Sequence, residues 1–351
     1  MFSPSVVRGG GFGLILLALT VPRLAAQGCV ALKLMGDATC SHGIDAYQPS
    51  RWSVAFNYQY FRSHRHFVGT EEQTHRYDQG SEVVNLVNQV TTSLSYQQSP
   101  RLSWTMNVPY FHARRTSLYE HDRVNRHETG ADGLGDISVG AQVWLRNPGS
   151  EPRSNVSFGL SLKAPTGDSN VKDTFYPASG PVRRNVDQSI QPGDGAWGVG
   201  VNVQAFHRLG AAASVYATGY YLVNPRETSG TYRSDDPVVG RLSVADQYQV
   251  RAGVSYLLLP RRALYVALGG RLEGVPASDL VGGDLGFRRP GYTLSVEPGF
   301  SMVVGSSVIG VTVPVAVERN RVRSYADKLN GRHGDAAFAD FAVNVSVAQR
   351  W

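Results

Sequence analysis

From Arg51 to the last residue the chain alternates apolar and polar positions with a period of two. The first run places Trp52, Val54, Phe56, Tyr58 and Tyr60 on one side and Ser53, Ala55, Asn57 and Gln59 on the other. Such a run predicts a strand with one apolar and one small polar face. The pattern recurs at Leu102–Tyr110, Ile137–Leu145, Val156–Leu162 and Trp197–Val203. It returns at Tyr248–Tyr256, Leu264–Leu268, Tyr292–Phe300 and Ile309–Val317, and closes with Val343, Val345, Val347 and Trp351. With less regular runs near 83–96 and 212–224, the pattern predicts twelve strands.

The connections fall into two kinds. Short turns are expected near 98–100, 147–153, 209–210, 260–261 and 305–306, and long polar loops near 62–82, 113–134, 166–194, 225–243, 276–289 and 319–337. Strict alternation of short and long is the arrangement of an even-stranded antiparallel barrel spanning the bacterial outer membrane, with periplasmic turns and outer loops. Aromatics near strand ends (Trp52, Tyr60, Trp104, Tyr110, Trp197, Tyr256, Tyr292 and Trp351) fit interfacial girdles. A secreted β-sandwich is the competing reading, since aromatics also fill its core. The strand ending at Trp351 resembles the signal by which barrel-assembly machinery takes up such proteins.

No run of about 18 apolar residues follows the N-terminal segment, so a membrane-spanning chain must use strands closed into a barrel. Residues 1–26 read as a signal peptide: Arg8, an apolar run from Phe12 to Val21, and Ala25-Ala26. Residues 27–50 would form a periplasmic segment before the barrel of 51–351. The segment holds both cysteines, Cys29 and Cys40, which in an oxidising compartment are a candidate disulfide. The formal charge of +6 becomes about +4 once Arg8 and Arg23 leave with the signal. That excess suits anionic lipid or solutes, and no basic patch resembles a nucleic-acid site.

Charges within the strands narrow the search for chemistry. On the polar faces the register puts Lys163, Arg251, Arg271, Glu273, Glu297 and Glu318. These are the predicted lumen-lining residues, because Arg or Lys facing lipid at mid-depth costs about 2–4 kcal/mol. They could form a salt-bridge network that stiffens the wall or a polar constriction that selects solutes.

Other signals carry less. His64, His66, His75, His112, His121 and His127 cluster near the first two long loops, but neighbouring arginines would repel a cation. The stretch Asp132–Asp136 lacks the spaced ligands of a calcium loop and reads as a turn before a strand, as does Pro192–Gly195. His112, Ser117 and Glu120 have no spacing that makes them a catalytic triad. No cofactor site and no enzyme activity are expected.

Three stretches resemble a known family. Gly133-Leu134-Gly135-Asp136-Ile137-Ser138-Val139-Gly140-Ala141 is similar to a recurrent strand opening of the bacterial meta-pathway phenol-degradation family of outer-membrane proteins, whose relatives include transporters. Lys163-Ala164-Pro165-Thr166-Gly167-Asp168, and Gln191-Pro192-Gly193-Asp194-Gly195 with Trp197, resemble two further stretches of it. The resemblance spans about 133–200 and implies a barrel that passes small aromatic or hydrophobic solutes, loosely similar to the long-chain fatty-acid transporters. It carries over no catalytic residue. The reading to be tested is an outer-membrane channel or transporter. A closed structural barrel binding lipopolysaccharide or a partner through loop residues such as Arg114, Arg115, Arg123 and Arg126 is the alternative.

Overall fold

The computed structural model describes residues 51–150 and 153–351; the signal peptide, the segment 27–50 and its Cys29 and Cys40 lie outside them. Among the described residues, twelve antiparallel strands form one closed barrel, each paired with its neighbours in chain order. They are β1 (Trp52–Val68), β2 (Val84–Gln97), β3 (Leu102–Ser117), β4 (His127–Leu134 and Ser138–Trp144), β5 (Ser154–Lys163) and β6 (Gly198–Arg208). The second half comprises β7 (Ala213–Val223), β8 (Gln247–Leu259), β9 (Leu264–Val275), β10 (Gly291–Val304), β11 (Ser307–Thr312 and Val315–Arg321) and β12 (Ala336–Arg350). β12 returns to β1 in register from Ser53↔Arg350 to Phe67↔Ala336, which leaves no open edge.

The wall is inside out relative to a water-soluble sheet. On β8, Val250, Val254 and Tyr256 are 46–50% exposed, whereas Arg251 between them is 8% exposed and Ser255 1%. The same alternation runs through β5, where Phe158, Leu160 and Leu162 face outward while Ser157 and Lys163 are buried. A β-sandwich core would hide the first set, so the exposed apolar band identifies a lipid-facing surface. Trp52, Trp104, Tyr110, Trp197, Tyr256 and Trp351 are exposed on it. The protein is therefore an outer-membrane barrel.

Two strands are interrupted. β11 breaks at Pro314, which has no N–H; the Val313 N–H donates to Pro298 and the Pro314 carbonyl accepts from Ala342. β4 breaks at 135–137: its outer segment pairs with β3 from Tyr110↔Leu134 to Ser117↔His127, and its inner segment pairs with both β3 and β5. Asp132–Leu134 thus belong to the outer segment of a strand, and the turn expected over 132–136 is a break within that strand at 135–137.

The sequence-based loop boundaries are corrected at several places. β1 runs on to Val68, β3 to Ser117 and β4 starts at His127, so much of 62–82 and 113–134 is strand. His64, His66 and His112 sit on strands. Strands that rise above the bilayer are wetted on both faces, which erases the alternation that marks them lower down. The long connections then fold over the mouth as small elements. These are hairpins at 172–185 and 228–243, short helices at His75–Asp78 and Tyr325–Leu329, and a turn of 3-10 helix at Gln188–Ile190.

Candidate functional site

The outer half of the barrel is partly filled by its own chain. Val186 and Ile190, from the connection after β5, pack on the inward-facing Val87, Phe111, Ala113 and Ala131 in a buried apolar cluster. Beside it, Ser189 donates to Asn85 on β2 at 3.2 Å, and the Arg115 guanidinium donates to the same Asn85 oxygen at 2.8 Å. A loop that would otherwise hang in water is thereby fastened to the inner wall.

Four of the six residues assigned to the lumen by periodicity are brought together on the opposite wall. Arg251 on β8 and Arg271 on β9 are directly paired in register, a like-charge juxtaposition that would repel. Glu297 on β10 resolves it with one carboxylate oxygen for each guanidinium, at 2.8 Å to Arg251 Nε and 3.2 Å to Arg271 Nη1. Glu273 accepts from Arg271 Nε at 2.8 Å and from Gln249 at 3.1 Å. In the row nearer the short turns, Gly253 and Gly269 face each other below Tyr216, whose hydroxyl lies 2.6 Å from where a Cβ on either would stand. The glycines thus let the phenol lie along the wall beside the ion pairs.

Lys163 stands apart, at the end of β5. It is buried, and its ammonium meets the Asp194 carboxylate and lies 4.0 Å from Asp136. Asp136 accepts the backbone N–H groups of Gly167 and Asp194, both at 2.9 Å, and Thr166 bridges Gly135 and Ile137 at 3.0 and 2.8 Å. Gly167 and Gly193 touch backbone to backbone: a Cβ on Gly167 would stand 2.8 Å from the Gly193 Cα. The three separate stretches on which the family resemblance rests therefore converge in one knot at the break in β4.

Glu318 is a correction. The register steps from Leu294↔Glu318 to Ser295↔Ala316, so Val317 is an extra residue in β11. Val315 and Val317 both face outward, and Glu318 falls opposite the outward-facing Leu294. The bulge reverses the parity of everything beyond it. Arg319 consequently turns inward and donates to Asp340 at 2.8 Å.

His112, Ser117 and Glu120 are dispersed. His112 faces outward and its Nδ1 lies 2.5 Å from Asp132, Ser117 is buried on the inner face, and Glu120 is held by Arg115 at 2.7 Å. Arg114 and Arg126, considered for lipopolysaccharide, pair with Asp132 at 2.9 Å and Glu82 at 3.1 Å. The His121 and His127 rings pack at a tilt, with centres 5.0 Å apart.

Periodicity did not disclose a chamber at the outer mouth. Above the ladder the folded-over connections enclose a vestibule of about 1220 Å³. Among the described residues, its lining includes eight arginines and Lys172 against four carboxylates, Glu120, Asp187, Asp327 and Asp335. Asp187 takes Arg289 at 2.9 and 2.8 Å and lies 3.6 Å from Arg115. Burial would raise its pKa, but these two guanidiniums hold it well below the ordinary carboxylate range. Asp335, between His66 and Arg76 at 2.8 and 2.6 Å, is held at about 2 despite its burial. Asp327 caps the helix Tyr325–Leu329 together with Ser324 and pairs with Arg321 at 2.8 Å. The signal in the sequence was arginine density in four long connections, which only the fold brings to one chamber.

No known family profile and no curated protein matches the chain. Among solved structures, the fold is similar to that of the COG4313 outer membrane channel from Pseudomonas putida F1, at 16% identity and a TM-score of 0.56, covering 87% of this chain and 97% of that one. Weaker likenesses include the toluene transporter TodX from Pseudomonas putida, at 10% identity and a TM-score of 0.43 over 94% of this chain and 99% of that one. Fold and exposed apolar band together define the class: a twelve-stranded outer-membrane β-barrel.

Proposed function

We propose that the barrel is an outer-membrane channel for small solutes, without cofactor or covalent chemistry. The observation that carries this reading is the stacking of two polar features along one axis. A chamber of about 1220 Å³ at the outer end stands over an inner wall whose buried charges, Arg251, Arg271, Glu273 and Glu297, are mutually neutralised. A neutralised polar wall can pass a solute that a single-sign ring would trap. Lys163, engaged by Asp194 and Asp136, acts on this reading as a fastener of the wall rather than as a selector.

Membership in the meta-pathway phenol-degradation family, with an aromatic or hydrophobic solute, is supported by the three resembling stretches and by their convergence in one knot. Barrel-assembly machinery would take up the chain through the strand that ends at Trp351. The closed-barrel alternative draws on the loop segment 186–191, which packs inside the outer half. Its lipopolysaccharide-binding arginines have less to offer, since Arg114, Arg115 and Arg126 already hold carboxylates.

Liposome swelling with the purified full-length protein and a size series of neutral sugars tests the reading. Swelling by the smallest sugars and a cut-off among the larger ones is expected. Swelling no faster than in empty liposomes, from protein shown to be folded, would favour the closed barrel.

A further inference from the structure

We propose that the outer vestibule is a binding site for an organic carboxylate with a flat apolar body, recognised by arginines that the protein leaves without a counter-charge. The proposal rests on the channel reading for its purpose, since it names the class of solute collected at the mouth.

The four carboxylates of the lining are all engaged: Glu120 with Arg115, Asp187 with Arg115 and Arg289, Asp327 with Arg321, and Asp335 with Arg76 and His66. Arg288 is held by Asp279 at 2.6 Å. Among the described residues this leaves Arg183, Arg184, Arg233, Arg332 and Lys172 lining the chamber with no carboxylate at salt-bridge distance, Arg184 donating instead to the Glu120 backbone carbonyl. Partly enclosed by protein, an unneutralised set of one sign concentrates counter-ions more strongly than the same charges on an open surface. Its natural occupant is an anion.

The rings point to an organic one. Arg233 lies over the Phe287 ring, its guanidinium carbon 4.0 Å from the centroid, and Arg289 approaches the same ring at 4.6 Å. Arg184 covers Phe175 at 4.0 Å. A guanidinium stacked on an aromatic ring spends its face on the ring and keeps its edge N–H donors free, in the fork that fits a carboxylate bidentately. Arg289 already uses its fork on Asp187 in this way. Arg233 lies over the same ring and has no acid at salt-bridge distance. Phe287 and the exposed Tyr232 in the lining offer apolar area to the body of the ligand. At about 1220 Å³ the chamber is larger than ordinary small-molecule sites, so an aromatic acid fits with water to spare.

Isothermal titration of the full-length protein in detergent, with benzoate, benzyl alcohol and inorganic phosphate as probes, tests this without requiring conduction. Failure of the channel reading therefore leaves the titration interpretable, and failure of the titration leaves the channel intact. Benzoate should bind, and benzyl alcohol should bind about tenfold more weakly, as expected from loss of a charge-assisted pair. In the double variant R183Q/R233Q, benzoate affinity should fall about tenfold while heat-modifiable migration on gels shows the barrel folded. Three outcomes overturn the proposal: no benzoate binding, equal binding of benzoate and benzyl alcohol, or unchanged affinity in the double variant. Phosphate binding as tightly as benzoate would also overturn it, as the site would then recognise charge alone.

Discussion

Trp52 and Trp351, the first residue of β1 and the last of the chain, exchange both backbone hydrogen bonds, at 3.2 and 3.1 Å. This pair ends the seam along which β12 meets β1. Every other neighbouring pair of strands is joined by a connection at one end, but this one is held by pairing alone. Removing Trp351 deletes both bonds and an exposed interfacial ring. The expected cost is about 1–3 kcal/mol, with a several-fold drop in the folded fraction recovered from membranes. Heat-modifiable migration on gels is the readout, and Trp351→Phe should restore most of the yield.

Glu297 is 1% exposed and serves two buried arginines that would otherwise face each other. Glu297→Gln removes the charge that neutralises them, at a cost of about 3–5 kcal/mol for breaking a buried pair. Urea unfolding in detergent should show the loss. Arg251→Gln in the same background should recover part of it, because Arg251 is the cation that Glu297→Gln leaves uncompensated, whereas Arg271 keeps Glu273.

Gly167 and Gly193 lie so close that a Cβ on either meets backbone of the other. Gly193→Ala should force the connection after β5 away from the break in β4, costing roughly 1–3 kcal/mol as in other overpacked sites. Limited proteolysis should then cut between 166 and 194 several times faster than in the native protein. Gly219→Ala on β7 serves as the control: nothing lies within 4 Å of where its Cβ would stand, its backbone is ordinary strand, and it is outside the segment being cut.

Asp335 is held at about 2 by His66 and Arg76, below its ordinary value of 3.8. A carboxyl with a depressed folded pKa contributes stability that is fully present above the unfolded value and is lost as pH falls through the folded one. The melting temperature should be flat from neutral pH to about 5 in this respect, then decline between about 4 and 2. Asp335→Asn should lie below the native protein at neutral pH and converge with it at the acid end.

The barrel was legible because its wall alternates with a period of two wherever lipid touches one face, as in β5 and β8. Legibility failed where that contrast fades. Above the bilayer β1 and β3 are wet on both sides, so His66 and Arg115 read as loop residues although they sit on strands and point inward. A single extra residue at Val317 reversed the parity beyond it and put Glu318 on the wrong face. Arg251, Arg271, Glu273 and Glu297 could each be assigned to the inner face, but that Glu297 bridges two of them depends on strand register, which a single sequence does not reveal. The vestibule was the least visible. Arg183, Arg233 and Arg289 come from three connections with no common period, and only the closure of the barrel makes them neighbours.

The central claim is that a solute can pass through this barrel, and single-channel recording in a planar lipid bilayer tests it most directly. Purified, folded protein should give stepwise and reproducible conductance, with a reversal potential in a potassium chloride gradient that favours chloride, as the Arg-rich mouth requires. A silent bilayer with protein shown to be inserted would contradict the account and make the folded-over connections a closed lid.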